Sequence, residues 1–197
     1  MLSPVVSFNG NQVFARVAFA SVVSVLLCGA GCARQDLQGA QIPTTRSAVD
    51  PGLPAPDFSA LDIDGNRVTL SEHRGSVVLL NFCSTWCEPC VAELPHLRSL
   101  YEANKDKGFI MVAISVDGPE TSANVVGFAR RNRLDPMIID EDSRIAMLYN
   151  PKKTAPVTVL IGRSGKIAAI HEGYTAGDEE ELGADLAKAL DGPRASR

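Results

Sequence analysis

Three of the five cysteines in this 197-residue chain lie close together, at positions 83, 87 and 90. Only two residues separate Cys87 from Cys90, and a Cys-x-x-Cys pair can form and break a disulfide by thiol exchange. An apolar run of strand length, 77–82, ends just before the pair, and a helical pattern begins near Glu88. Because the free N–H groups and the dipole at a helix start stabilise an anion, we predict Cys87 to be the nucleophilic thiolate. Cys90, one turn further into the helix, is then the less exposed, resolving thiol.

The same spacing occurs in two other kinds of site. Zinc sites of this type use a second ligand pair, and the sequence contains neither another Cys-x-x-Cys nor a His-x-x-x-His. A structural disulfide without turnover is the other alternative. The pattern favours a redox-active Cys87–Cys90 disulfide that needs no metal and no cofactor, because the dithiol itself carries the two electrons.

The composition is that of an ordinary globular protein, with 45% hydrophobic and 21% charged residues. These proportions exclude a disordered, collagen-like or coiled-coil chain. The formal net charge is −4 and no run of five basic residues occurs, so nucleic acid is not an expected partner.

The N-terminal segment has the pattern of a secretory signal. An apolar run, 17–31, follows Arg16 and is shorter than the stretch of about 20 residues that a membrane span needs. Cys32 comes after three small residues, which resembles the lipobox of bacterial lipoproteins, although the lipobox usually has Leu where Gly29 stands here. We therefore predict a signal peptide over 1–31 and lipidation of Cys32, with cleavage without lipid or retention as an anchor as the alternatives. In each case the rest of the chain lies outside the cytoplasm.

The remaining sequence predicts a tether and one domain. Residues 32–54 show no apolar periodicity and contain Gly and Pro, as a flexible tether does, so the domain is placed at 55–192. Strand and helix patterns then alternate, which predicts an α/β fold: a three-layer sandwich around a mixed sheet. The predicted elements are a hairpin within 57–70, strands at 77–82, 109–116, 136–140, 157–161 and 166–171, and helices at 88–105, 120–132, 143–149 and 178–190. In the first helix Val91, Leu94, Leu97 and Tyr101 share one face.

Two segments of the chain resemble a known family. The first segment looks like the TlpA/ResA group of extracytoplasmic thioredoxin-like proteins in Asn81-Phe82, Ser84-Thr85-Trp86-Cys87-Glu88-Pro89-Cys90 and Glu93-Leu94-Pro95. The second segment resembles the same group over 154–161 and 164–167. The resemblance covers 54–190 and implies a thioredoxin fold with an N-terminal β-hairpin and a central insertion, 117–150.

The resemblance also implies the roles of further residues. Pro156 is expected to be cis and to face the cysteine pair, which would leave the backbone of Ala155 free to bind an extended peptide. Glu93 is expected to lie beneath the pair and to move protons. Trp86 would be part of the substrate surface.

The family further implies partners and a direction of reaction. Its substrates are disulfides of other proteins, among them the haem-binding cysteines of apocytochrome c, and a membrane thiol transporter supplies its electrons. We therefore expect a membrane-attached, extracytoplasmic protein-disulfide reductase.

Cys83 departs from the family pattern, which usually has an aromatic residue at this position. It is either a small buried residue or a third redox thiol. The Cys83-x-x-x-Cys87 spacing also resembles the SCO-type copper chaperones, for which His171 would be the third ligand, and this copper-binding function is the main alternative. A peroxiredoxin pattern would require Pro where Leu80 stands.

Overall fold

The computed structural model describes residues 49–192. The predicted signal peptide over 1–31, Cys32 and most of the tether lie outside the described residues. Within 49–192 no helix is long and apolar enough to cross a lipid bilayer.

The order of the predicted elements is confirmed. The strands and helices are β1 (Ser59–Leu61), β2 (Arg67–Thr69), β3 (Val77–Cys83), α1 (Glu88–Asn104), β4 (Phe109–Ser115), α2 (Val125–Asn132), β5 (Met137–Ile139), α3 (Arg144–Tyr149), β6 (Val157–Ile161), β7 (Ile167–Glu172) and α4 (Asp178–Asp191). The helix predicted over 120–132 is shorter, because a 3₁₀ turn, Ser122–Asn124, precedes α2.

Five of the strands form one mixed sheet in the order β5-β4-β3-β6-β7. The neighbours β3, β4 and β5 run parallel, whereas β6 and β7 form an antiparallel hairpin added to the other side of β3. Strands β1 and β2 form the predicted N-terminal hairpin as a separate two-stranded sheet.

The central strand β3 is buried on both faces, as its continuous apolar sequence predicts. Val77 and Leu79 point into a core shared with α1, α2 and α4, while Val78 and Leu80 point into a second core with α3 and the β1–β2 hairpin. The predicted three-layer sandwich is therefore confirmed. Its second outer layer is one short helix plus the hairpin.

The end of the predicted tether contacts the domain. The N–H of Gly52 donates to the carbonyl of Ile167 at 2.8 Å, and the N–H of Ile167 donates to the carbonyl of Leu53 at 2.9 Å. Val49 is buried in the second core. The packed part of the chain thus begins before residue 55.

The buried face of α1 agrees with the prediction at Leu94, Leu97 and the partly buried Tyr101, but not at Val91. Val91 is 44% exposed, whereas Cys90, Glu93, Leu94 and Leu97 are buried. A carboxyl group therefore occupies a core position that the pattern of apolar residues did not indicate.

Candidate active site

Cys87 and Cys90 form a disulfide at the start of α1, with their Cα atoms 5.3 Å apart. Cys87 is the N-cap residue, and its Sγ accepts a hydrogen bond from the N–H of Cys90 at 3.2 Å. Cys87 is 4% exposed and Cys90 is fully buried. This helix-start geometry stabilises a thiolate on Cys87 when the pair is reduced, because the N–H already points at its sulfur.

The turn that leads into the disulfide is held by Asp117, which follows β4 and is 1% exposed. One carboxylate oxygen accepts from the Thr85 hydroxyl at 2.6 Å, and the other accepts from the Thr85 N–H at 2.9 Å and from the Ser115 hydroxyl at 2.8 Å. Burial raises the pKa of Asp117, but hydrogen bonds from Thr85, Thr121 and Ser115 outweigh burial, so its pKa lies below the ordinary value. The turn that leads into the disulfide is thus held by an ionised carboxylate, both oxygens of which accept hydrogen bonds.

Glu93 lies one helical turn after Cys90 and is 4% exposed. One of its oxygens accepts from the Asn81 side-chain amide and the other from the Thr158 hydroxyl, both at 3.0 Å. The amide of Asn81 also donates to the Thr158 hydroxyl at 3.0 Å, and its own Oδ1 is buried without a hydrogen bond. Burial raises the pKa of Glu93, although the Thr158 and Asn81 hydrogen bonds oppose that shift.

A cavity of about 510 Å³ reaches Glu93 from the side of α1, α4 and β7. His96, Tyr174 and Asp185 are among its lining residues, whereas neither disulfide cysteine lines it. Glu93 is therefore open to a solvent space that does not pass through the disulfide.

The Ala155–Pro156 peptide bond is cis, as the resemblance implied. Phe82 pairs with Val157 in the antiparallel β3–β6 ladder, so Pro156 lies at the sheet end where β3 leads into the disulfide. Ala155 packs against the same core cluster as both disulfide cysteines. A second cis bond, Asp135–Pro136, precedes β5 and was not predicted.

Cys83 is fully buried and free, because Cys87 is bonded to Cys90 instead. Burial, and then the charges of Asp117 and Glu93, raise the pKa of its thiol to about 12. These properties match the prediction of a small buried residue.

The copper arrangement does not form. His171 lies on β7, with its Nε2 at 3.4 Å from a carboxylate oxygen of Asp185 but without hydrogen-bond geometry. In the described part of the chain, no three His, Cys, Asp or Glu side chains lie close enough together to hold a metal ion. The proposed ligands Cys83, Cys87 and His171 are therefore not gathered into a copper site.

The sequence interpretation missed three residues that shape this site: Asn81, Asp117 and Thr158. Asn81 and Thr158 interrupt apolar strand sequences, and Asp117 follows directly after another such strand. A buried polar group needs a partner, so a polar residue inside a central strand was the available signal. The sequence could not show that Asn81 and Thr158 share Glu93.

Comparisons with known proteins agree with this geometry. Residues 51–170 match the model of the AhpC/TSA family. The chain is 37% identical over 139 residues to a thiol-disulfide oxidoreductase ResA from Geobacillus kaustophilus. The aligned region covers 70% of this chain and 78% of the relative. A ResA from Bacillus thuringiensis subsp. konkukian is 33% identical over 153 residues, or 77% of this chain and 85% of the relative.

Solved structures agree as well. The chain is similar to a putative thiol:disulfide interchange protein DsbE from Chlorobium tepidum, with a TM-score of 0.66 and 32% identity over 72% of this chain and 99% of that one. A putative protein disulfide isomerase from Bacteroides thetaiotaomicron gives a TM-score of 0.65 and 31% identity, over 73% and 92% of the two chains. The chain therefore belongs to the AhpC/TSA family and, within it, to the ResA-like thiol-disulfide oxidoreductases of thioredoxin fold.

Proposed function

We propose that this oxidoreductase is a reductase of protein disulfides that works outside the cytoplasm, tethered to the membrane. The observation that carries the proposal is a disulfide at a helix start, Cys87–Cys90, with a buried carboxyl group, Glu93, one turn below it. The resemblance to the ResA group supports the direction of electron flow.

In the proposed cycle the reduced Cys87 thiolate attacks one sulfur of the substrate disulfide. A mixed disulfide forms and the other substrate sulfur leaves as a thiolate, which takes up a proton. The Cys90 thiol then loses its proton and attacks the Cys87 sulfur. This step restores the Cys87–Cys90 disulfide and releases the substrate as a dithiol, so that two electrons pass from enzyme to substrate.

Glu93 is the proposed acceptor of the Cys90 proton. Its raised pKa makes the Glu93 carboxylate a better proton acceptor than an ordinary glutamate, and the cavity at α1, α4 and β7 gives it an exchange route to water. The route avoids the disulfide, so a docked substrate would leave it open.

The substrate surface is proposed to combine Trp86 with the Ala155–Pro156 segment. Trp86 is 66% exposed directly before Cys87, and an exposed aromatic side chain next to a reactive group suits peptide contact. Asn150 holds the loop before Ala155, because its side chain bonds both the carbonyl and the N–H of Thr154.

The cellular setting rests on the N-terminal sequence and on the family. A signal peptide over 1–31 and a lipid on Cys32 would hold the domain at the outer face of the membrane through the tether. A membrane thiol transporter would keep Cys87 and Cys90 reduced, and apocytochrome c is a proposed substrate. Entry of labelled palmitate into the wild type, and its loss in Cys32→Ala, would test the attachment.

The thiol roles are tested by trapping. Cys90→Ser should accumulate a mixed disulfide with a model substrate, whereas Cys87→Ser should form none, because Cys90 is fully buried. A mixed disulfide through Cys90 in the second variant would contradict the assigned roles.

The direction is tested by the reduction potential of the pair, read by alkylation and mass spectrometry in thiol buffers. A potential near or below about −230 mV supports a reductase, whereas a value near about −120 mV would mark an oxidant.

A further inference from the structure

A groove of about 400 Å³ opens beside the exposed Trp86, on the side of α2. It begins next to the disulfide, since Trp86 directly precedes Cys87. Its lining residues are Thr85, Trp86, Thr121, Ala123, Asn124, Gly127 and Arg131.

Arg131 is the one charged side chain that lines this groove. It is exposed and makes no ion pair with any residue of 49–192, whereas its neighbour Arg130 is paired with Asp64. Gly127 leaves room for it, because a Cβ built there would lie 3.1 Å from a guanidinium nitrogen of Arg131. The guanidinium therefore lies along α2, free to bind a group in the groove.

The other walls are neutral. Thr85 directs both its N–H and its hydroxyl to Asp117, whose carboxylate is buried and does not line the groove. Asn124 is the N-cap residue of α2, but its side chain makes no capping hydrogen bond to the helix. An aromatic ring, an amide and an unpaired guanidinium together suit a carboxylate side chain, which Arg binds with paired N–H donors.

We propose that this groove binds an acidic residue of the substrate polypeptide that flanks the cysteine attacked by Cys87. The proposal rests on the proposed function and adds a sequence preference to it. Glu88 and Glu120 are exposed and close to the groove residues in sequence, but neither lines the groove. The preference for an acidic substrate residue is therefore confined to the side of the disulfide on which Trp86 lies. The chain has a formal net charge of −4, and the positive charge of Arg131 provides a local surface that an acidic segment can approach.

The test compares peptide disulfides that differ only at positions flanking one cysteine, with Glu, Gln or Lys there, as substrates of the reduced protein. One exposed ion pair predicts a kcat/KM for the Glu peptide about two- to fivefold above that of the Gln peptide at low salt, with the Lys peptide lowest. Arg131→Gln should abolish the order, Arg131→Glu should invert it and Arg131→Lys should keep part of it. Raising the salt concentration should reduce the preference by screening.

Arg133→Gln is the matched control, because it removes an exposed cation just beyond the end of α2 that does not line the groove. It should keep the order of the three peptides. Equal kcat/KM values for the peptides in the wild type, or an order that persists in Arg131→Gln, would overturn this proposal while leaving the reductase function standing. No reduction of any peptide would overturn the proposed function and this proposal with it.

Discussion

Replacing Glu93 by Gln should make the stability of the protein depend differently on pH. Burial raises the pKa of Glu93 above its ordinary value of 4.5, so the folded protein holds this proton more tightly than the unfolded chain. Above pH 4.5 the unfolded chain therefore releases this proton first, and the contribution of Glu93 to the stability of the wild type falls as the pH rises. The loss reaches at most about 1.4 kcal/mol per pH unit and stops once Glu93 ionises in the folded protein.

The Glu93→Gln variant has no such group, and the introduced glutamine can keep both contacts of Glu93. Its side-chain carbonyl would accept from the Asn81 amide, which stays oriented as in the wild type. Its amide would donate to the Thr158 hydroxyl oxygen, so that this one hydrogen bond reverses its direction. The unfolding free energy of Glu93→Gln minus that of the wild type should rise with pH and then become constant.

Urea unfolding followed by circular dichroism from pH 4 to 8 measures this difference. The oxidised protein is used, because the disulfide then removes Cys87 and Cys90 from the titration. Glu88→Gln, which removes an exposed carboxyl group from the same helix, is the matched control for the lost charge. Parallel pH profiles for wild type and Glu93→Gln would refute the assignment of a raised pKa to Glu93.

The reduced protein tests the role of Glu93 in turnover. Glu93→Gln should slow disulfide reduction by up to about 100-fold at neutral pH, the lower end of what a positioned acid–base group contributes. Unchanged turnover would show that another group takes the Cys90 proton.

Two further predictions concern the groups around the disulfide. Asp117→Asn should lower the unfolding free energy by about 1.5–3 kcal/mol at pH 7, because an amide nitrogen cannot accept from Thr85 or Ser115. The folded protein depresses the pKa of Asp117, so the stabilisation by its carboxylate is present above the ordinary pKa of 3.8 and is lost as the pH falls through the pKa of the folded state. Urea unfolding of the wild type and Asp117→Asn at pH 7 and in acid measures this stabilisation. Equal unfolding free energies of the two proteins at pH 7 would contradict the prediction. Cys83 should resist iodoacetamide at pH 8 in the native reduced protein, because it is fully buried with a thiol pKa of about 12. Mass spectrometry measures this, and alkylation of Cys83 as fast as that of Cys87 would be the contrary result.

Much of the fold could be predicted because its signals are local. The Asp64-Gly65 turn between alternating residues predicts the β1–β2 hairpin, and the apolar run of β3 predicts a strand covered on both faces. The first helix was placed correctly, and Leu94 and Leu97 are buried as predicted, but Val91 is exposed and Glu93 is buried. Apolar periodicity selects Val91 for the core, and the pattern has no means of indicating that Glu93 finds buried hydrogen-bond donors on two strands.

The sequence by itself determined the chemistry of this protein, because two cysteines three positions apart at the start of a helix have one favoured reaction wherever the helix lies. The tertiary structure decided what surrounds that reaction. Asn81 and Thr158 meet Glu93 only because β3 and β6 pair in one register, and Asp117 reaches Thr85 only because β4 lies beside β3. The same structure buries Cys83 and does not gather it with Cys87 and His171 into a metal site among the described residues. Contacts between residues distant in sequence depend on strand order and register, which no short stretch of sequence encodes alone.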